Sequence, residues 1–221
     1  MPTRILDDGE SREHFKHRLE AFSDIVFGLS LSQLALQLAL PAHAAELFQS
    51  PLRYAIFFGT FAIICAVWLS HHRMFQLAFE PDPPDIALNF VYLAFVAILP
   101  FAMQVNVRFG GSAVGFGFYV VDFIGFSLPM FGLLQRGLAR RSPHLSEEQR
   151  LQLWRAVLRN RLVLGASLAS LVLIPLVGVV FAWIPFTLIS IGTSLVRRRV
   201  NAVPARYLPV ASGSPPQFTM R

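Results

Sequence analysis

The chain has 221 residues, of which 54% are apolar and only 14% are charged, with 19 Lys and Arg against 13 Asp and Glu. Soluble domains carry about 25% charged residues, so this chain has too little charge to cover a water-facing surface. A soluble enzyme is excluded, and so is a disulfide scaffold, because Cys65 is the only cysteine.

Apolar segments fall at Leu19–Leu40, Leu52–Phe79, Ile86–Val107, Ala113–Leu138 and Leu162–Val196. A spanning helix needs about 20 residues, which makes the first four single spans. The fifth run would be about 52 Å long as one helix, far more than a bilayer core. Pro175, Gly178 and Pro185 lie inside it, where a tight turn would divide it into two. The expected fold is therefore all-α, a polytopic membrane protein with six transmembrane helices.

Basic residues orient these spans. Seventeen of the nineteen fall before span 1, after span 2, between spans 4 and 5, or after span 6; only Arg53 and Arg108 fall on the other side. This bias predicts a multi-pass protein of the cell (plasma or inner) membrane, with both termini and the 4–5 connection in the cytoplasm. It also accounts for the net charge of +6 without nucleic acid, as a topology signal and a contact for anionic lipids. Met1–Arg18 is polar and lacks the features of a signal peptide. The expected organisation is a cytoplasmic segment at 1–17, a membrane domain at 18–200 with a cytoplasmic loop at 139–160, and a disordered tail at 201–221. Within the loop, Ser146 followed by Glu147, Glu148 and Gln149 reads as the capped start of a helix.

Span 1 is the most polar of the six. Ser23, Ser30, Gln33 and Gln37 recur at helical spacing and share a face, flanked by Leu29, Leu36 and Leu40. Polar side chains facing lipid are unfavourable, so this face meets either protein, as interhelical glue, or water, as a pore wall. Trp68, His71, His72 and Arg73 end span 2, and Asn89 opens span 3 at the depth of Ser23 and Asp24. A buried network joining spans 1, 2 and 3 would satisfy these groups, with Arg18, Glu20 and Asp24 able to exchange charge nearby. Adjacent histidines on a helix point about 100° apart and chelate poorly, so no metal site and no cofactor is expected. Asp122 is the acidic residue deep in the later spans, and it reads as a partnered or protonated structural carboxyl or as a functional group. No paired catalytic groups stand out.

Arg18-x-x-x-Phe22-Ser23-Asp24 opening the first helix resembles the pattern of the transmembrane protein 175 potassium channels. Trp68-x-x-His71-His72-Arg73-x-Phe75 closing helix 2, Asn89 early in helix 3 and Pro100 late in it continue the resemblance over about residues 15–105. It implies a homotetramer of single six-helix subunits, with helix 1 of each lining one central pore and with K⁺ as the permeant ion. Apolar rings on helix 1 would constrict this pore in place of a carbonyl-lined loop. Carried over by position, the rings fall on Leu29, Gln33 and Leu36, a hydroxyl position falls on Ser32, and Leu40 extends the line. Arg18, Phe22, Ser23, Asp24, Trp68, His71, His72 and Asn89 would anchor helix 1 against its neighbours. Gln33 departs from the apolar residue usual there, and Ile25 from a usual Gly. A proton or poorly selective cation pathway, and a non-conducting scaffold or sensor whose Arg-rich 136–161 segment binds lipid or a partner, are the alternatives.

Overall fold

The computed structural model describes residues 9–38, 43, 51–109, 111–182, 184–185 and 188. Its elements in order are α1 (Gly9–Leu36), α2 (Pro51–Leu77), α3 (Pro83–Phe109), α4 (Ala113–Arg141), a 3-10 turn at Ser142–His144, α5 (Glu147–Val177) and α6 (Val179–Ala182). The first five are long and apolar enough to cross a membrane. The rest of the expected sixth span, the tail at 201–221 and Leu40 lie outside the described residues.

Each boundary has a local cause. Asp82 caps α3, its Oδ1 accepting from the Asp85 N–H at 3.2 Å, and Pro83 fills the first helical position. Ser112 does the same for α4, accepting from the Gly115 N–H at 3.1 Å. Ser146 and Gln149 form a reciprocal capping box at the start of α5. Gly178 ends α5 with a φ of 84°, a left-handed conformation that glycine adopts freely, so the long apolar run breaks here.

Two boundaries differ from the sequence expectation. Helix α1 starts at Gly9, so its polar first turns continue directly into the apolar span. The helix expected to start after Ser146 within the 139–160 connection does so, but it runs on without a break into the fifth span. The capped helix and the fifth span are one 31-residue element, because no Pro or Gly interrupts residues 147–164 and the polar residues there are good helix formers.

Helix α4 sits at the centre, packed between α3 and α5 and touching the end of α2. In a membrane such packing gains little from the hydrophobic effect and depends on close backbone approach. Gly125 supplies it: a Cβ there would lie 2.2 Å from the Phe95 ring. Gly137 is equally tight, with 2.3 Å to the Ala78 methyl. Phe75 and Phe79 stack at 4.2 Å in the buried core, which also includes Tyr92, Leu133 and Leu153.

Candidate functional site

Helix α1 has two unlike faces. Leu19, Ser23, Phe27, Ser30 and Leu34 are buried against α2 and α3. Opposite them, Phe22, Ile25, Leu29, Ser32, Gln33 and Leu36 are exposed, with Leu29 at 64% and Leu36 at 85%.

The buried face is held by a directional chain of hydrogen bonds. His71 Nε2 and Asn89 Oδ1 lie 2.8 Å apart, Asn89 Nδ2 donates to Ser23 Oγ at 3.4 Å, and Ser23 Oγ donates to the Leu19 carbonyl at 2.8 Å. Because Asn89 donates onward through its nitrogen, its oxygen accepts, which assigns the proton to His71 Nε2. Every link is buried, so each donor that lacked its acceptor would carry the full desolvation cost. Around this chain His71 packs on Phe27, Phe75 and Tyr92.

A second set of contacts lies toward the surface. Trp68 Nε1 donates to Asp24 Oδ1 at 2.8 Å, and the Trp68 ring stacks on His72. His72 Nδ1 meets Glu20 Oε1 at 3.0 Å, and His72 Nε2 accepts from Gln76 Nε2 at 2.8 Å. The two adjacent histidines therefore serve different partners on different faces. Phe22 meets Phe90 edge-on at 5.9 Å, although its ring remains partly open.

Not every expected grouping forms. Arg18 is exposed and joins none of these contacts, so neither Glu20 nor Asp24 pairs with it. The polar stripe on helix 1 is split in two. Ser30 turns inward and donates to the Val26 carbonyl at 2.9 Å and the Val96 carbonyl of α3 at 3.3 Å. Gln33 faces out, and Gln37 lies half-buried between the faces. A wheel with one 100° step per residue groups these side chains over a broad sector, whereas contact with α3 cuts that sector along a line. Ser32 is exposed and its hydroxyl donates to the Gly28 carbonyl at 2.9 Å, leaving its oxygen lone pairs facing outward. Asp122 is buried within the bundle, remote from the open face of α1.

Sequence reasoning missed a charged clamp at the basic end. Arg136 and Arg140 on α4 both bond to Asp82 and Asp85 at the start of α3, with Arg136 Nη2 at 2.9 Å from Asp82 Oδ2. Asp85 is fully buried, and Glu80 adds a weaker contact to Arg140 at 3.7 Å. Burial alone would raise the Asp82 carboxyl, but the Asp85 N–H and the Arg140 and Arg136 guanidiniums outweigh it and hold its pKa below the usual value. The signal was present as Asp82-Pro83-Pro84-Asp85, a cap with a second acid at the third helical position.

Comparison with known proteins gives consistent likenesses. A family model described as "Endosomal/lysosomal potassium channel TMEM175" matches residues 18–100, the segment that holds α2 and most of α1 and α3. A potassium channel of Chamaesiphon minutus is 33% identical over 92 residues, covering 38% of this chain and 45% of that protein. The human protein named endosomal/lysosomal proton channel TMEM175 is 27% identical over 180 residues, covering 76% of this chain and 34% of the relative. The chain thus matches less than half the length of either. In fold it is like the solved TMEM175 homolog from Chamaesiphon minutus, with a TM-score of 0.64, 22% identity, and coverage of 85% of this chain and 99% of the other.

Proposed function

We propose that this chain, which matches the TMEM175 family model over residues 18–100, is a passive, homotetrameric channel for K⁺ or a related monovalent cation. Helix α1 of each subunit faces a central pore. The observation that carries this reading is the division of α1 into an anchored face and an open one. The open face holds Leu29 and Leu36 with Ser32 and Gln33 between them. A wholly apolar stripe would suit lipid, but an exposed amide and hydroxyl in its middle call for water or ions.

In this reading Leu29 and Leu36 narrow the pore. An ion sheds part of its hydration shell at the apolar rings, and the Ser32 and Gln33 oxygens replace some of it. Phe22, Ser23, Asp24, Trp68, His71, His72 and Asn89 fix the rotation of α1, which decides which residues meet the axis. Both termini lie in the cytoplasm, as the distribution of basic residues directs. The family is described as a channel, not an enzyme, and the permeant ion is cargo rather than cofactor.

Potassium flux into liposomes containing the purified protein, with valinomycin as the positive control, tests the proposal. Flux present in wild type and altered by Leu29→Ala and Gln33→Leu supports it. Absent flux, or flux indifferent to both variants, removes it.

One observation favours a second reading. Gln33 interrupts the apolar stripe, and four such amides would hold a continuous water column able to pass protons. A human relative carries the name proton channel. Acidification of a trapped pH dye under a proton gradient without K⁺ separates the two. For a non-conducting scaffold, the discriminating measurement is subunit number in lipid, where a monomer or dimer would exclude the four-fold pore.

A further inference from the structure

Between α2 and α5 near the basic end, Arg73 and Arg159 carry positive charge with no acidic partner among the described residues. Arg159 Nη2 on α5 donates to Ser70 Oγ on α2 at 2.9 Å, and Ser70 in turn donates to the Ala66 carbonyl. Arg73 lies one turn beyond Ser70 on the same face of α2, close enough that its charge and that of Arg159 repel. Arg155 lies one turn before Arg159 on α5. Helices α2 and α5 run in opposite directions here, so the three arginines gather along one groove. Among the described residues the acids at this end pair with Arg136, Arg140 and His72, and none pairs with Arg73 or Arg159. Among the described residues Arg73 has no hydrogen-bond partner, and its side chain reaches the surface.

The depth of the groove identifies what neutralises it. Arg53 and Arg73 bracket the apolar body of α2 and stand about 30 Å apart along the axis at 1.5 Å per residue, the thickness of a hydrocarbon core. Arg73 therefore sits at the edge of the membrane. Trp154, half-exposed on α5 one residue before Arg155, has the amphipathic ring found at that level. Guanidinium forks bind phosphate with two parallel hydrogen bonds, and clustered arginines at a membrane edge attract anionic headgroups.

We infer that Arg73 and Arg159, the latter held in place by the Ser70 hydroxyl, form a binding site for the phosphate of an anionic phospholipid in the α2–α5 groove. The bound phosphate offsets the repulsion between the two guanidiniums and holds α5 against α2. The site stands apart from the open face of α1 and does not depend on the channel reading.

The test is native mass spectrometry of the detergent-purified protein titrated with phosphatidylglycerol and, separately, phosphatidylcholine. Wild type should retain phosphatidylglycerol in preference. Arg73→Gln and Arg159→Gln should each weaken that retention by about tenfold, as expected for losing one charge-assisted contact. Arg12→Gln, which removes the same charge from an exposed turn of α1, should leave it unchanged. Among the described residues Arg73 makes no hydrogen bond or ion pair, so in lipid-free detergent its variant should be no less stable than wild type, which separates lost lipid from lost fold. Equal retention by wild type and both variants would overturn the inference. So would displacement of the lipid by an equal concentration of inorganic phosphate, which would mark a general anion site. Loss of oligomer mass in Arg73→Gln with lipid retention intact would also overturn it, assigning the groove to a second copy.

Discussion

The Trp68 indole N–H donates to the Asp24 carboxylate at 2.8 Å, joining α1 to α2 at the level where α1 enters the bundle. An indole has a single donor and no acceptor, so this bond sets the rotation of α1 as well as its position. Trp68→Phe should lower stability by about 1–2 kcal/mol, toward the low side of the range for a hydrogen bond to a charged group because the pair is partly exposed. Asp24→Asn keeps an oxygen acceptor and should lose less. Thermal melts of the two single variants and the double in detergent measure the coupling, and additive effects would show that the pair does not interact.

The chain from His71 through Asn89 to Ser23 should respond asymmetrically. Asn89→Leu leaves the His71 N–H buried without an acceptor and should destabilise by about 1–3 kcal/mol. Replacing His71 and Asn89 together with apolar residues removes the stranded donor, so the double variant should be more stable than Asn89→Leu alone. Denaturation in mild detergent reads this directly. A double variant weaker than both singles would contradict the hydrogen-bond account.

Ser30 and Ser32, two residues apart, should behave as residues of different surfaces. Ser30→Ala breaks the contact with the Val96 carbonyl and should reduce stability by about 1 kcal/mol without altering ion preference. Ser32→Ala should melt with wild type yet change the ratio of K⁺ to Na⁺ flux in liposomes. An altered flux ratio in Ser30→Ala with Ser32→Ala silent would show that α1 is rotated from the face assigned here.

The clamp at the start of α3 should be acid-sensitive. Asp82 titrates below its usual value in the folded chain, so its contribution is fully present above the unfolded value of 3.8 and fades as pH falls through the lower folded one. Melting temperature should therefore hold down to about pH 5 and drop below pH 4. Arg136→Gln strands part of the buried Asp85 charge and should cost about 3 kcal/mol at neutral pH. It should also flatten the acid limb, because less favourable interaction remains to be lost. An unchanged limb in Arg136→Gln would remove Asp82 and its partners as the cause.

Much of this architecture was legible one helix at a time. Apolar length and Ser146 marked elements through properties that each segment carries by itself, and Gly178 broke the long run where a break was needed. The partners of Trp68, His71 and Asn89 were foreseeable in outline, because polar side chains at one depth in a low-dielectric medium have few other partners. Arg18 was grouped with them by proximity in sequence, and the fold leaves it outside. The roles of Arg136 and Arg140 were hidden for the opposite reason: as charges counted for orientation they signalled a side of the membrane, while their acids lie more than fifty residues away.

The sequence by itself determined that this chain crosses a membrane as apolar helices and that helix 1 is the polar exception, since hydropathy and length are local sums. Only the tertiary structure decided which polar residues of that helix are anchors and which stand open. Ser30 and Gln33 lie less than one turn apart, and periodicity assigns both to one stripe. The backbone of α3, held close to α4 by Gly125 against Phe95, brings the Val96 carbonyl within reach of Ser30 and leaves Gln33 on the other side of the contact line.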